Sequence, residues 1–164
     1  MFKINSPLKV IVGFNKKKQK NVEFLLNLNN FRNTFYRVLN NAKVQYKIDI
    51  QGQLEGVEKL KRCVMVYTVF KGDNRRFDIG NIASIHQKFF EDAFVEYGYL
   101  PDDKYTNIPM VLYRFGGISK DNPRVEIEVF NLDDEYEVKR FKDLTKETID
   151  TFYKERKRKK QWLE

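Results

Sequence analysis

The sequence is poor in the residues that build disulfides and histidine sites, with one cysteine and one histidine among 164 residues. A single cysteine excludes an intramolecular disulfide framework and a cysteine-ligated zinc site. No apolar run approaches the roughly 18 residues of a membrane span, and the N-terminus lacks the apolar core of a signal peptide. These absences predict a cytoplasmic protein of a reducing compartment, with no membrane partner.

Positive charge, by contrast, is abundant. Lys and Arg (31) outnumber Asp and Glu (23), which gives a net charge of +8 and a pI near 9.4. Such an excess in a small domain favours a polyanionic partner, nucleic acid before anionic membrane. Hydrophobic residues form 41% of the chain and aromatic residues 15%, which is enough to bury a core. We therefore expect one ordered domain, residues 1–164, that binds nucleic acid.

Hydrophobic periodicity predicts seven elements in the order β-α-β-α-β-β-α. The strands are expected at 8–14, 62–71, 106–115 and 123–130. The helices are expected from Asn29 or Asn30 to about residue 52, from 81 to 97, and from about 146 to 162, where the chain is strongly basic. Strands separated by helices and then a hairpin indicate an α+β fold, in which helices pack on a mixed β-sheet.

Three features are expected to be structural. Cys63 lies in an apolar run and is expected to be buried, as free cysteine usually is. His86 lies near the apolar face of the second predicted helix, which favours a packed imidazole over a catalytic base. The acidic run Asp133-Asp134-Glu135 is expected to be a solvated turn.

A polar stripe on the second predicted helix borders its apolar face. At about 100° per residue, Lys88 and Asp92 fall about 40° apart on the helical wheel. Asp78 precedes the helix at its electropositive end, and the adjacent acids Asp102 and Asp103 follow on the next loop. A stripe at the border of the core is placed to line a cleft.

These residue types fit metal-assisted phosphodiester hydrolysis. Magnesium takes oxygen ligands, commonly a few carboxylates together with water and phosphate oxygens. The candidate ligands are Asp78, Asp92, Asp102 and Asp103. Lys88 is placed to neutralise charge that develops on a phosphate. A structural interpretation also stays open, in which this lysine forms a solvated i,i+4 pair with Asp92 and the two adjacent acids form a turn.

The segment from Arg75 to Asn107 resembles the signature of the RusA family of Holliday-junction resolvases. It holds a basic run, Asp78-Ile79-Gly80-Asn81, a helix with Lys88 four residues before an Asp-Ala step, a glycine, and a closing Asp-Asp pair. Further similarity to a phage-borne branch of the family extends the resemblance over residues 24–130.

The resemblance implies a magnesium-dependent endodeoxyribonuclease, with Mn²⁺ as a substitute metal, that resolves four-way DNA junctions as a homodimer. Asp78 matches the first metal-binding aspartate, Asp103 the last, and Lys88 the catalytic lysine. The second aspartate of the family motif is Gly80 here, so Asp92 or Asp102 is expected in its place. The family also implies a phage or prophage gene, a bacterial host cell, and a role in recombination and repair.

Basic residues are expected to hold the DNA backbone without reading its sequence. These residues are Lys16, Lys17, Lys18, Arg75, Arg76, Arg156, Lys157 and Arg158. Two other functions stay open from the sequence. One is a branched-DNA-binding protein that lost catalysis together with the aspartate missing at Gly80, and the other is a basic scaffold protein with no nucleic-acid chemistry.

Overall fold

The computed structural model describes residues 1–161, without the side chains of residues 152 and 155–161. A 3₁₀ turn at Gly52–Leu54 follows the second helix. In chain order the strands and helices are β1 (Phe2–Pro7), β2 (Lys9–Asn15), β3 (Lys20–Leu25), α1 (Leu28–Asn33), α2 (Tyr36–Gln51), β4 (Cys63–Lys71), α3 (Ile79–Glu96), β5 (Val111–Ile118), β6 (Arg124–Asn131) and α4 (Glu135–Gln161).

Four strands form a mixed sheet in the order β1-β6-β4-β5, and β2 pairs with β3 in a separate hairpin. β4 runs parallel to β5 and antiparallel to β6. The expected hairpin of the last two strands is therefore wrong, because β4 lies between them. The reason is in the composition of β4, whose first seven residues are all buried. A strand buried on both faces belongs in the middle of a sheet.

The two faces of the sheet carry cores of different size. Alternate residues of β4, among them Met65 and Tyr67, belong to a large cluster to which α2, α3 and the β2–β3 hairpin also contribute. Val64 and Val66 point the other way and pack in a small cluster with Phe141 of α4. The α+β class with helices on a mixed sheet is confirmed.

The N-terminal part of the chain holds two strands that the sequence pattern did not predict. β1 is an edge strand that pairs with β6 alone, and it ends at Pro7, a residue that strands tolerate mainly at edges. β3 begins at Lys20, directly after the turn that contains Lys16, Lys17 and Lys18. The expected strand at 8–14 is confirmed as β2.

The expected first helix is in fact two helices. Asn27 caps α1, since its Oδ1 accepts a hydrogen bond from the Asn30 amide at 2.8 Å. Thr34 and Phe35 then take extended backbone angles before α2 begins. Asn, Thr and Phe are weak helix formers, so the run Asn33-Thr34-Phe35 is a natural place for the helix to break.

The last helix begins at Glu135 rather than near residue 146. Of the acidic run expected to be a turn, only Asp133 lies in one. Asp134 caps the helix, because its Oδ1 accepts from the Glu137 amide at 3.0 Å, and Glu135 is the first helical residue. Acidic residues at a helix N-terminus are stabilised by the free amides there. Among the helices of residues 1–161, none is both long and apolar enough to cross a membrane.

Candidate functional site

Asp78 is the N-cap of α3. Its backbone is extended, its side chain is exposed, and Oδ1 accepts a hydrogen bond from the Gly80 amide at 2.8 Å. A Cβ atom at position 80 would lie 3.3 Å from this oxygen, so glycine leaves the carboxylate room to cap. Asp78 therefore satisfies an amide that every helix N-terminus leaves without a partner.

Lys88 and Asp92 lie in the C-terminal half of the same helix and form the expected i,i+4 pair. The Lys88 Nζ is 3.8 Å from the Asp92 Oδ2. The same oxygen accepts a shorter hydrogen bond, 2.9 Å, from the Nζ of Lys43 on α2. Asp92 thus sits between two lysines at the junction of α2 and α3, and its side chain is only 29% exposed.

Glu91 is the residue that sequence reasoning missed. It is 8% exposed and its Oε1 has no hydrogen-bond partner. Burial raises the pKa of Glu91 to about 7, a hydrogen bond from Gln87 and the charge of Lys88 oppose this, and the charges of Asp103 and Asp92 add to it. Lys88, Glu91, Asp92 and Asp103 therefore form one electrostatic neighbourhood, which we call the acidic cluster.

Tertiary packing explains why Glu91 is buried. On the helical wheel it falls away from the main apolar face, about 80° on the far side of the predicted stripe, where a glutamate is expected to face water. The sheet covers this side instead, since α3 packs against β4 and β5. Burial, and then the charge of Glu91, raise the pKa of Tyr67 on β4 and of Tyr113 on β5. Tyr113 on β5 donates a hydrogen bond to the side chain of Gln87, one turn before Glu91. No local signal in the sequence reports this packing.

The structure does not bring Asp78 to the acidic cluster. With a rise of 1.5 Å per residue, the 13 residues from Asp78 to Glu91 span about 20 Å of helix. Asp78, which the resemblance assigns to one metal centre with Asp103, therefore lies about 20 Å along α3 from Glu91, the residue on which the charge of Asp103 acts.

Asp102 is tied into its own loop. Its Oδ2 lies 2.6 Å from the Lys104 Nζ, and its Oδ1 accepts from the Asp103 amide at 2.8 Å. The hydrogen bond from Lys104 lowers the pKa of Asp102. Asp102 is held within the loop, and Asp103 is the member of the pair whose charge acts on Glu91.

The residues expected to contact DNA lie in three places. Lys16, Lys17 and Lys18 are exposed on the turn of the β2–β3 hairpin. Arg75 and Arg76 are exposed before α3, at the end that holds Asp78. The Arg75 guanidinium is 2.7 Å from the Asp73 carboxylate, so part of its charge is neutralised. The side chains of Arg156, Lys157 and Arg158 lie outside the described residues.

His86 is fully buried, so the expected packed imidazole is confirmed. Its Nδ1 lies 2.6 Å from the Ser6 hydroxyl, which donates to the Tyr46 hydroxyl at 2.9 Å. Its Nε2 has no partner, and burial lowers the pKa of His86 to about 3. Cys63 is buried as well, and burial raises the pKa of its thiol to about 12.

The described side chains include no group of three or more His, Cys, Asp or Glu that could hold a metal ion. Comparison with family models and with curated proteins finds no match for this chain. The resemblance to the RusA family stays a prediction.

Proposed function

We propose that the protein is a magnesium-dependent endonuclease that cuts branched DNA, four-way junctions among them, with its reaction centre at the acidic cluster. One observation carries the proposal. The buried Oε1 of Glu91 has no partner and lies in the same electrostatic neighbourhood as Asp103, Asp92 and Lys88. A buried polar atom without a partner is rare in folded proteins, and an unbound ligand is one of its ordinary explanations.

Glu91 and Asp103 suit a hard divalent cation. Magnesium is commonly bound by one or two carboxylates, with water and substrate phosphate oxygens completing its octahedral shell. The two carboxylates supply that number. When bound, the cation lowers the pKa of a water molecule and neutralises charge on the phosphate. Mn²⁺, which takes similar oxygen ligands, is expected to substitute.

The other members of the acidic cluster have separate roles. Lys88 is 50% exposed, so its ammonium group is free to approach a phosphate and to stabilise negative charge there. Asp92 holds Lys88 from one side and Lys43 from the other. Asp92 is thus a positioning residue that sets the direction of the lysine.

The charge of the chain supports DNA as the substrate. A net charge of +8 attracts a polyanion and supplies contacts to phosphates that are independent of sequence. Paired cuts in opposite strands of a junction suit two-fold symmetry, so we expect a homodimer. A recombination and repair role in a bacterial cell, encoded by a phage or prophage, goes with this proposal.

The test compares three variants on a synthetic four-way junction with Mg²⁺. Glu91→Gln and Asp103→Asn are expected to reduce cleavage at least about hundredfold, because each removes a charged group that acts directly at the centre. Asp78→Asn is the matched control, since asparagine caps a helix as well as aspartate does. It is expected to retain cleavage. Cleavage lost in Asp78→Asn but kept in Glu91→Gln would place the centre at the opposite end of α3 and overturn this assignment.

A second function is favoured by the placement of Asp78. Because this residue is used as a helix cap about 20 Å from the acidic cluster, the chain also fits a non-catalytic protein that binds branched DNA. Salt-dependent binding of the junction by the wild-type protein, without cleavage in Mg²⁺ or Mn²⁺, would select this function over the nuclease. Indifference to DNA at low salt would reject both.

A further inference from the structure

The break between α1 and α2 leaves two aromatic rings at the surface. Because Thr34 and Phe35 have an extended backbone, the chain turns between α1 and α2. The rings of Phe35 and Tyr36 therefore do not reach the core. The side chains of Phe35 and Tyr36 are 62% and 63% exposed, and their ring centroids lie 4.6 Å apart. Aromatic side chains bury more apolar area than most others, so a neighbouring pair held in water is available for a ligand.

The surface around these rings is cationic. The guanidinium of Arg37 lies 5.8 Å from the ring centroid of Tyr36, and its Nε donates to the Tyr36 hydroxyl. Arg32, in the last turn of α1, is exposed as well. The chain has no acidic residue between Glu23 and Asp49, and the nearby carboxylate of Asp92 is paired with Lys43.

An open groove of about 640 Å³ lies beside Tyr36. Phe31 and Leu39 supply apolar surface to it, and Asn40 and Asn41 supply amide groups. A side-chain amide both donates and accepts hydrogen bonds, and asparagine pairs with the edges of nucleobases for this reason. The groove thus offers apolar and aromatic surface, cationic groups and side-chain amides, which are the three kinds of contact that a base and its phosphate make.

The groove adjoins the acidic cluster. Lys43 lines it, and the Nζ of this lysine donates to Asp92. Phe31, on the groove wall, contacts Phe89 of α3 with ring centroids 6.3 Å apart. A strand lying in the groove therefore passes beside Lys88 and Asp92.

We propose that Phe35, Tyr36 and this groove form a stacking surface for the unpaired bases of a nucleic-acid strand. Base faces stack on aromatic side chains whatever their sequence, and arginine adds to such binding. Bases inside a duplex have no free face, so the stacking surface selects single-stranded segments such as those at a branch point. As a statement about which part of the DNA is held, the inference rests on the proposed function, but base stacking needs neither Mg²⁺ nor cleavage.

The experiment measures binding of a labelled oligothymidylate of about 12 nucleotides, a length within the range of one single-strand site. Fluorescence anisotropy of the full-length protein in EDTA gives the Kd without cleavage. The double variant Phe35→Ala, Tyr36→Ala is expected to raise the Kd at least about tenfold, because each lost stack weakens binding by about fivefold or more.

A matched control exists on α4. Tyr136 is 69% exposed, and the Arg140 guanidinium lies 6.0 Å from its ring centroid, so it repeats the arginine–tyrosine pair away from the groove. Tyr136→Ala is expected to change the Kd less than about twofold, as a lone surface ring far from the bound strand contributes little. Tyr36→Trp retains a ring and is expected to keep the wild-type Kd, which separates stacking from any effect on folding.

Three results would overturn the inference: an unchanged Kd in the double variant, an equal loss in Tyr136→Ala, or duplex of the same length bound as tightly and with the same dependence on the rings. An oligouridylate of equal length separates RNA from DNA as the strand, because both offer the same base faces and differ at the 2′-hydroxyl. Ring-dependent binding by a protein that cleaves nothing would remove the nuclease and leave the stacking surface in place. Cleavage without ring-dependent binding would do the reverse.

Discussion

His86 and Glu91 lie five residues apart on α3, and both are buried titratable groups with one atom lacking a partner. Their surroundings differ. His86 is enclosed by Ser6 and Tyr46 and is shifted by burial alone. Glu91 also feels the charges of Asp103, Asp92 and Lys88. Burial by itself marks a packed residue, whereas burial combined with specific charged neighbours marks a candidate site.

The largest effects that we predict on stability are the pH dependences that His86 and Glu91 give to the free energy of unfolding. Burial lowers the pKa of His86 from 6.5 to about 3, so its neutral form stabilises the fold fully above pH 6.5 and this stability is lost as pH falls. Between pH 7 and pH 4.5 the loss is about 3 kcal/mol. The glutamine of His86→Gln cannot titrate. The free energy of unfolding of this variant, measured by urea denaturation, is therefore expected to fall less than that of the wild type as the pH is lowered from 7 to 4.5. Parallel pH profiles for the two proteins would show that His86 is not held neutral.

Glu91 is expected to act in the opposite direction. Its pKa is raised from 4.5 to about 7, so its neutral form stabilises the fold below pH 4.5 and the stability is lost as pH rises through 7. Glu91→Gln mimics the neutral form and is expected to be more stable than the wild type at pH 8, by about 3 kcal/mol, and similar to it at pH 4.5. Urea denaturation at the two pH values measures the difference. A variant less stable at pH 8 would mean that the carboxylate is needed by the fold itself.

The smallest effect concerns the N-terminal end of α3, where Asp78 is the N-cap. Asp78→Ala removes the acceptor for the Gly80 amide and is expected to lower the free energy of unfolding by about 1 kcal/mol, while Asp78→Asn changes it by a few tenths. Thermal unfolding in the absence of metal gives both values. Equal destabilisation by the two substitutions would indicate that the charge of Asp78, rather than its capping bond, is what stabilises α3.

Features that depend on residues close together in the chain could be predicted from the sequence, whereas features that depend on distant segments could not. The apolar run at 62–71 and the period of α3 identified both elements, because each depends on residues that are close in the chain. Gly98, with a φ of 76°, marked the end of α3 as expected. The position of β4 between β5 and β6 was missed, since strand order depends on pairing between distant segments. Glu91 was missed for the same reason, because α3 packs against β4 and β5, strands that are distant from it in the chain.

The same distinction between local and distant residues applies to the candidate site. Sequence spacing correctly paired Lys88 with Asp92, because i,i+4 neighbours meet on any α-helix. It did not show that Lys43 of α2 shares the same carboxylate. The length of α3 places Asp78 and Asp92 toward different ends of the helix. A helical wheel projects along the axis and therefore conceals that separation.

The pairing of β1 also has a consequence for how the chain is made. Phe2 lies opposite Val129, so β1 finds its partner only after the long stretch of chain between the two strands has been synthesised. Until then its backbone groups are satisfied by water, and the β2–β3 hairpin and the helices, whose contacts are local, have time to form. β1 can therefore join the sheet only once β6 has been made, although β1 precedes every other strand of this sheet in the sequence.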